Sequence, residues 1–258
     1  MIKHLAIGNL TIDSADAVHA RDFHAALMGY DKITADGNPA LVTRNGLTVV
    51  FADCIAFVKP VWPEEPGTQQ KQMHIDYTVD DLQSTVDRAI SLGAVRPDAQ
   101  YGGDYHVTLL DTDGRPFCLC RRSGVKSEFD LWYENKGYGA IPDISLNIDC
   151  KKSEVLRKFY AELTDWDRTF HYTALIPENR MVVHFMGCDG DFDYIPPTRP
   201  GEFGEQQRQM IFNFVVDDLP SAVEDAVRCG AGKAGDRQSE RCVTLLDTEG
   251  HPFNLCGV

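Results

Sequence analysis

Two titratable side chains lie two residues apart in a run that reads as a strand. His74 and Asp76 alternate with Ile75, Tyr77 and Val79, so both point to one face. Cys118 stands in a second apolar run, Phe117-Cys-Leu-Cys120, and Asp13 ends a third that begins at Leu10. An imidazole, a carboxylate and a thiolate are donors that hold zinc while leaving one position open. The plainer alternative is that His74 hydrogen-bonds Asp76 or Asp13 and that Cys118 packs as a small hydrophobe. Trp62 stands in a Pro- and Glu-rich stretch, where it either stacks on a ligand or plugs a loop against the core. His106 is expected to be a surface or strand-pairing residue, and His184 to alternate between core positions. Arg115 and His251 flank two turns and are expected to be solvated. No GxGxxG, P-loop, GxSxG or HExxH motif occurs.

These residues need strands to align them, and the composition permits a globular core. The chain has 258 residues, 43% of them hydrophobic, enough for one large core or two ordinary ones. No apolar run is long enough to span a bilayer. The first residues turn polar too soon for a signal peptide, so a cytoplasmic location is expected. Net charge is -14, which repels phosphate backbones and anionic membranes and excludes nucleic acid as the expected partner. The eight Cys form no CxxC pair, and reduced, buried thiols are expected.

The dominant signal is self-similarity. QMHIDYTVDDLQSTVDRAISLGA at 72–94 returns as QMIFNFVVDDLPSAVEDAVRCGA at 209–231. VTLLDTDGRPFCLC at 107–120 returns as VTLLDTEGHPFNLC at 243–256, and 12–31 answers 148–167. The offset is 137 residues in the first block and 136 in the other two, a register that chance does not hold.

Each copy contains a weaker half-repeat. Leu10 and Ile12 alternate with polar neighbours, then Ala20, Phe23 and Leu27 mark one helix face. In the second half, Asp80 or Asp81 is expected to cap a helix with inward Leu82, Val86, Ala89 and Ile90, and Gly93 to end it. The turn Asp111-Thr-Asp-Gly114 requires positive φ at its glycine. Segments 55–71 and 187–206 read as crossovers, running into Gln-Gln-Lys-Gln at 69–72 and Gln-Gln-Arg-Gln at 206–209. Residues 121–140 carry the aromatics Phe129, Trp132, Tyr133 and Tyr138, so this linker is expected to pack on a surface.

A strand, a helix ending near Tyr-Asp, the motif H-x-x-x-x-V-D-D-L and the ending L-x-D-x-x-G-x-P-F-x-L together resemble the glyoxalase, bleomycin-resistance and extradiol-dioxygenase superfamily. The resemblance spans both copies. It implies an α+β protein of two tandem glyoxalase-like domains, each of two βαβββ modules forming a half-open eight-stranded barrel with a ligand in its concave face. The expected divisions are domain 1 at 1–122, a linker at 123–139 and a degenerate domain 2 at 140–258.

Members of that superfamily with enzymatic activity hold a divalent metal on first, fifth and last strands. Those positions correspond to Asn9, His74 and Cys118 in the first copy and to Ser145, Ile211 and Asn254 in the second. Isoleucine has no donor, and neutral Ser and Asn oxygens do little to offset the dehydration of an ion, so the second copy is read as metal-free. No metal is the favoured reading for the first copy either; if one binds, it binds in domain 1, on His74, Cys118 and Asp76. The expected ligand-binding residues are Asn9, Asp13, Trp62, His74, Asp76 and Cys118, with His74 the catalytic candidate. The expected function is binding of a small organic molecule in the cleft of domain 1, with or without turnover. Alternatives are a metal-dependent lyase or dioxygenase using His74, and a bleomycin-type sequestering protein without catalysis. A homodimer is left open.

Overall fold

The computed structural model describes residues 5–164, 166–168, 174–179, 181–188, 194–197 and 204–258. Most of the second crossover, 187–206, lies outside them. Four modules follow one another. The first comprises β1 (Ala6–Ser14), α1 (Ala17–Met28), β2 (Asp31–Ala35), β3 (Asn38–Val42) and β4 (Thr48–Asp53). The second comprises β5 (Met73–Val79), α2 (Leu82–Ser91), β6 (His106–Leu110) and β7 (Pro116–Arg121). A linker helix, α3 (Glu128–Asn135), precedes the third: β8 (Ile144–Cys150), α4 (Ser153–Leu163), β9 (Asp167–Arg168), β10 (Ala174–Ile176) and β11 (Val182–Gly187). The fourth is β12 (Met210–Val216), α5 (Leu219–Arg228), β13 (Gly232–Gln238), β14 (Cys242–Leu246) and β15 (Pro252–Gly257).

Local signals act as the sequence suggests. Asp81 caps α2 by accepting from Ser84 N, which satisfies an otherwise orphaned amide. Gly93 follows the helix at φ 107° and Gly114 takes φ 77° in its turn, conformations that side chains with a Cβ disfavour. Strand β5 alternates buried and half-buried residues along its whole length. Its inward set, with Phe23, Phe117 and their counterparts Phe159 and Phe253, joins one continuous core under the helices.

Both sheets are half-open, as expected, but their pairing crosses between the copies. One sheet has the order β13-β14-β15-β12-β1-β4-β3-β2 and the other β6-β7-β5-β8-β11-β10-β9. Module one is therefore completed by module four, through antiparallel β1 and β12. Module two is completed by module three, through antiparallel β5 and β8. The second sheet shows seven strands among the described residues, with Val95 contributing only an isolated bridge to Leu110.

Matched contacts join the two copies to each other. The Gln runs of the two crossovers exchange hydrogen bonds: Gln70 N donates to Gln206 Oε1, and Gln206 Nε2 donates back to Gln70 O. Lys71 Nζ reaches Asp149 Oδ2 at 2.5 Å, and Arg208 Nε, from the matching position, reaches Asp13 Oδ2 at 2.6 Å. Arg115 and His251 are buried, not solvated. Each anchors a terminal turn to the other half of its copy. Arg115 donates to Asp13 O and pairs with Asp111. His251 Nδ1 lies 3.0 Å from Asp247 Oδ2, and its Nε2 lies 2.8 Å from Asp149 O.

The cysteines depart from expectation in two ways: of the free ones only Cys118 and Cys150 are buried, and two others are bridged. Cys242 and Cys256 are disulfide-bonded, and the other six are free. The two face each other directly across β14 and β15, with Cα atoms 4.2 Å apart; the matching pair in the first copy is His106 and Cys120. A bridge 14 residues apart in sequence contributes about 3 kcal/mol by restricting the unfolded chain. Cys256→Ser should lower stability by about that much. In denaturant, six thiols should titrate before reduction and eight after; eight before reduction would remove the bridge from the account.

Candidate functional site

The floor of the candidate site is the concave face of the seven-stranded sheet. Strand alternation turns His74 and Asp76 of β5 out of the core. Parallel pairing sets Asp76 beside Cys118 of β7, and antiparallel pairing sets His74 beside Asn147 of β8. His184 follows on β11, opposite Asn147, so it faces the cleft rather than the core. One donor atom each from His74, Asp76 and Cys118 falls within 4.8 Å of the others.

The roof comes from the first crossover. Lys71 Nζ is clamped between Glu64 Oε1 at 2.7 Å and Asp149 Oδ2 at 2.5 Å, with all three side chains buried. Its ammonium lies 5.2 Å from the centre of the Trp62 ring, a cation–π distance. Trp62 meets Tyr101 edge-on, and its indole Nε1 is buried without a partner. The far side is closed by the linker. Tyr133 of α3 packs fully buried against Ala174, Ile176 and Val182, which share the sheet face of His184 by register. The expectation that this aromatic linker packs on a surface is met, and the surface is this cleft.

Electrostatics in the cleft follow from burial. His74 is held well below the usual imidazole range by burial, reinforced by the nearby Lys71 charge. It is neutral at physiological pH, the form that ligates metals. Asp76 is pushed up to about 6 by burial, with the Asn147 and Cys118 side chains pulling part of the way back. The Cys118 thiol is pushed up to about 12 by burial and by Asp76. His74 Nε2 lies 3.4 Å from Asp76 Oδ1. Yet His74 Nδ1 and Asp76 Oδ1 are both buried with no hydrogen-bond partner. Leaving such groups unmade costs roughly 1–3 kcal/mol each, and groups of this kind cluster where something else binds.

The structure brings His74, Asp76, Cys118 and Trp62 into one cleft. It places Asn9 and Asp13 on the other sheet. There Asn9 joins a neutral ladder: Thr244 Oγ1 donates to Asn254 Oδ1, Asn254 Nδ2 to Asn213 Oδ1, and Asn213 Nδ2 to Asn9 Oδ1. Asp13 is occupied by Arg208. The second-copy positions separate likewise: Ser145 pairs with Asp76 on β5, while Ile211 and Asn254 lie in the eight-stranded sheet. Sequence reasoning missed Lys71, Glu64, Asn147 and Asp149 as parts of the cleft. The one available signal was Lys71 standing in the repeated Gln-Gln-(Lys/Arg)-Gln run.

The donor set fits a divalent transition ion. Nitrogen, oxygen and sulfur donors from three residues match a zinc site with an open position, and two of those residues present unpartnered buried atoms. All three belong to the first copy. The eight-stranded sheet offers amides and hydroxyls at the corresponding places.

No described helix is long and apolar enough to cross a membrane. No curated protein matches the chain. Among solved structures, a point mutant of glyoxalase I from Zea mays aligns over 98% of this chain and 94% of its own, with TM-score 0.63 and 13% identity. A putative dioxygenase from Bacillus subtilis aligns over 100% and 86%, with TM-score 0.58 and 10% identity. Likeness at these identities concerns the fold. The glyoxalase-like domain profile matches twice, over residues 9–120 and 145–256, and the chain belongs to the glyoxalase-like domain family.

Proposed function

We propose that this protein binds a small organic molecule in the cleft over the seven-stranded sheet, against His74, Asp76 and Cys118 with Trp62 at the mouth. The observation that carries the reading is His74 Nδ1, buried with no partner, beside Asp76 Oδ1, which makes no hydrogen bond and has His74 Nε2 at 3.4 Å. Small-molecule sites are concave and present a few convergent polar groups. The other sheet's polar residues satisfy one another and offer less to a ligand.

The donor set favours a second reading, a metal-dependent lyase- or dioxygenase-type enzyme. His74, Asp76 and Cys118 would hold the ion, which would polarise a substrate oxygen as a Lewis acid. The chain's own part is to present a neutral imidazole, keep water out beneath Trp62, and fix Asp149 through Lys71. A sequestering role without chemistry uses the same pocket and no ion.

One experiment separates these readings. Metal-stripped protein is incubated with Zn²⁺ or Co²⁺, desalted and analysed for bound metal, beside His74→Ala. The enzyme reading expects about one ion per chain, a thiolate-to-cobalt charge-transfer band from Cys118, and roughly a hundredfold weaker uptake in the variant. No uptake by the wild type leaves the binding reading, which then requires that ligands from a thermal-shift screen lose affinity in His74→Ala. Unchanged ligand affinity in that variant would remove this cleft as the site.

A further inference from the structure

A second cleft, of about 530 Å³, opens where the linker passes between the two copies. It lies at the opposite end of β8 from Asp149, on the order of 13 Å along the strand from Asn147 at ~3.3 Å per residue. Arg44 lines it from the turn after β3, and Glu178 from the turn after β10. Those turns are counterparts in modules one and three, since β4 and β11 pair with β1 and β8 in the same register. They meet directly, with Asn45 Nδ2 donating to Asn179 O at 3.2 Å. The linker adds Tyr133 and Tyr138 to the lining. None of these residues belongs to the His74 cleft floor.

The chemistry of the walls is specific. Asp143 is buried; its Oδ2 pairs with Arg44 Nη1, while its Oδ1 is buried with no partner. Arg44 is held on its other side by Met28 O at 2.6 Å. Arg122 pairs through Nε with Asp80, whose side chain is 88% exposed. An ion pair that exposed is worth little, so a ligand carboxylate making two parallel contacts can displace it. The lining therefore combines Asp143, with one oxygen lacking an N–H, Arg122, a guanidinium with an exchangeable partner, and two tyrosines. Its volume lies within the roughly 300–1,000 Å³ range of small-molecule sites.

We propose that this cleft is a second ligand site, taking a small zwitterion of dipeptide size with its ammonium at Asp143 and its carboxylate at Arg122. The apolar body rests on Tyr138 and Ile141. Such a ligand ties the first copy, the linker and the second copy together. Because the linker also walls the His74 cleft through Tyr133, occupancy here stiffens that wall. The proposal does not depend on what the His74 cleft binds.

The test is calorimetric titration of the whole protein with glycyl-L-phenylalanine, its N-acetyl derivative and its C-terminal amide. The free dipeptide should bind, and each capped form at least tenfold more weakly. Arg122→Ala, an exposed change that leaves the core intact, should weaken the free dipeptide at least tenfold and leave the amide unchanged. His74→Ala should bind the dipeptide like the wild type. No binding of the free dipeptide, equal binding of capped and free forms, or undiminished affinity in Arg122→Ala would overturn the proposal. Loss in His74→Ala alone would move the dipeptide to the other cleft and overturn it too.

Discussion

Lys71→Met should destabilise the protein by roughly 3–5 kcal/mol, the usual cost of removing one member of a buried ion pair. The ammonium is the shared partner of Glu64 and Asp149, and the three side chains are 6–8% exposed. Methionine fills the volume of the aliphatic stem and leaves two carboxylates facing each other in a dry site. For a chain of this size the melting temperature should fall on the order of 10 °C. Burial alone would lower the Lys71 pKa, but Asp149 and Glu64 raise it above the ordinary lysine value. A raised pKa contributes stability that is complete below the unfolded value and is lost only as pH climbs through the folded one. The wild type should therefore keep this contribution throughout the neutral range. The variant's deficit should shrink toward acid pH, since burial already raises the Asp149 pKa and protonation relieves the repulsion. Denaturant unfolding checks the size of the effect, and Lys71→Met with Asp149→Asn should recover part of it. A cost below about 1 kcal/mol would show that water reaches the triad.

Asp111→Asn should be the costlier of two matched substitutions, at roughly 3–5 kcal/mol, with Asp247→Asn less damaging and pH-dependent. The two carboxylates hold corresponding terminal turns. Asp111 accepts from the amides of Asp113 and Arg115, pairs with the Arg115 guanidinium, and lies 3.3 Å from His24 Nε2. Asp247 accepts from the amides of Glu249 and His251, pairs with the His251 ring, and accepts from Tyr160 Oη at 3.1 Å. The difference lies in the cation. A guanidinium cannot shed its proton, so Asp111→Asn leaves Arg115 charged at every accessible pH, with Asp113 Oδ2 at 3.8 Å as its more distant counter-charge. An imidazole can. Burial pulls the His251 pKa down, but Asp247 and the Asp149 carbonyl raise it above the ordinary value. That contribution is complete below the unfolded histidine pKa and is lost as pH rises through the folded one. Asp247→Asn should therefore cost most near pH 6 and progressively less on the alkaline side. The Asp111→Asn cost should stay flat from pH 6 to 9: burial opposes ionisation of Asp111, but His24 and Arg115 hold its pKa below the usual value. Parallel pH profiles for the two variants would refute the assignment of a protonated His251.

Much of this protein was legible as pattern. The three repeated blocks established the duplication, and the period-two alternation of His74, Asp76 and Thr78 against Ile75, Tyr77 and Val79 placed the two polar groups on the open face. Helix caps and turn glycines were readable because they depend on neighbours within a few residues. A hydrophobic period tells a strand which face to bury. It does not tell the strand which edge to join.

That choice belonged to the tertiary structure. β1 and β8 are copies of one another, as are β5 and β12, so local pattern is equally compatible with pairing within a copy and across copies. The observed pairing lies across copies, supported by Tyr133 of the linker docking against β10 and β11 and by Gln runs that meet between the modules. It took Asn9 and Asp13 away from His74 and put Asn147 and Asp149 in their place. It also decided which charges are buried: Lys71 lies 78 residues from Asp149, and Arg208 lies 195 from Asp13. Partners so distant leave no periodic trace in the chain, because burial of a charge is set by the strands that arrive opposite it and by the counter-charge they bring.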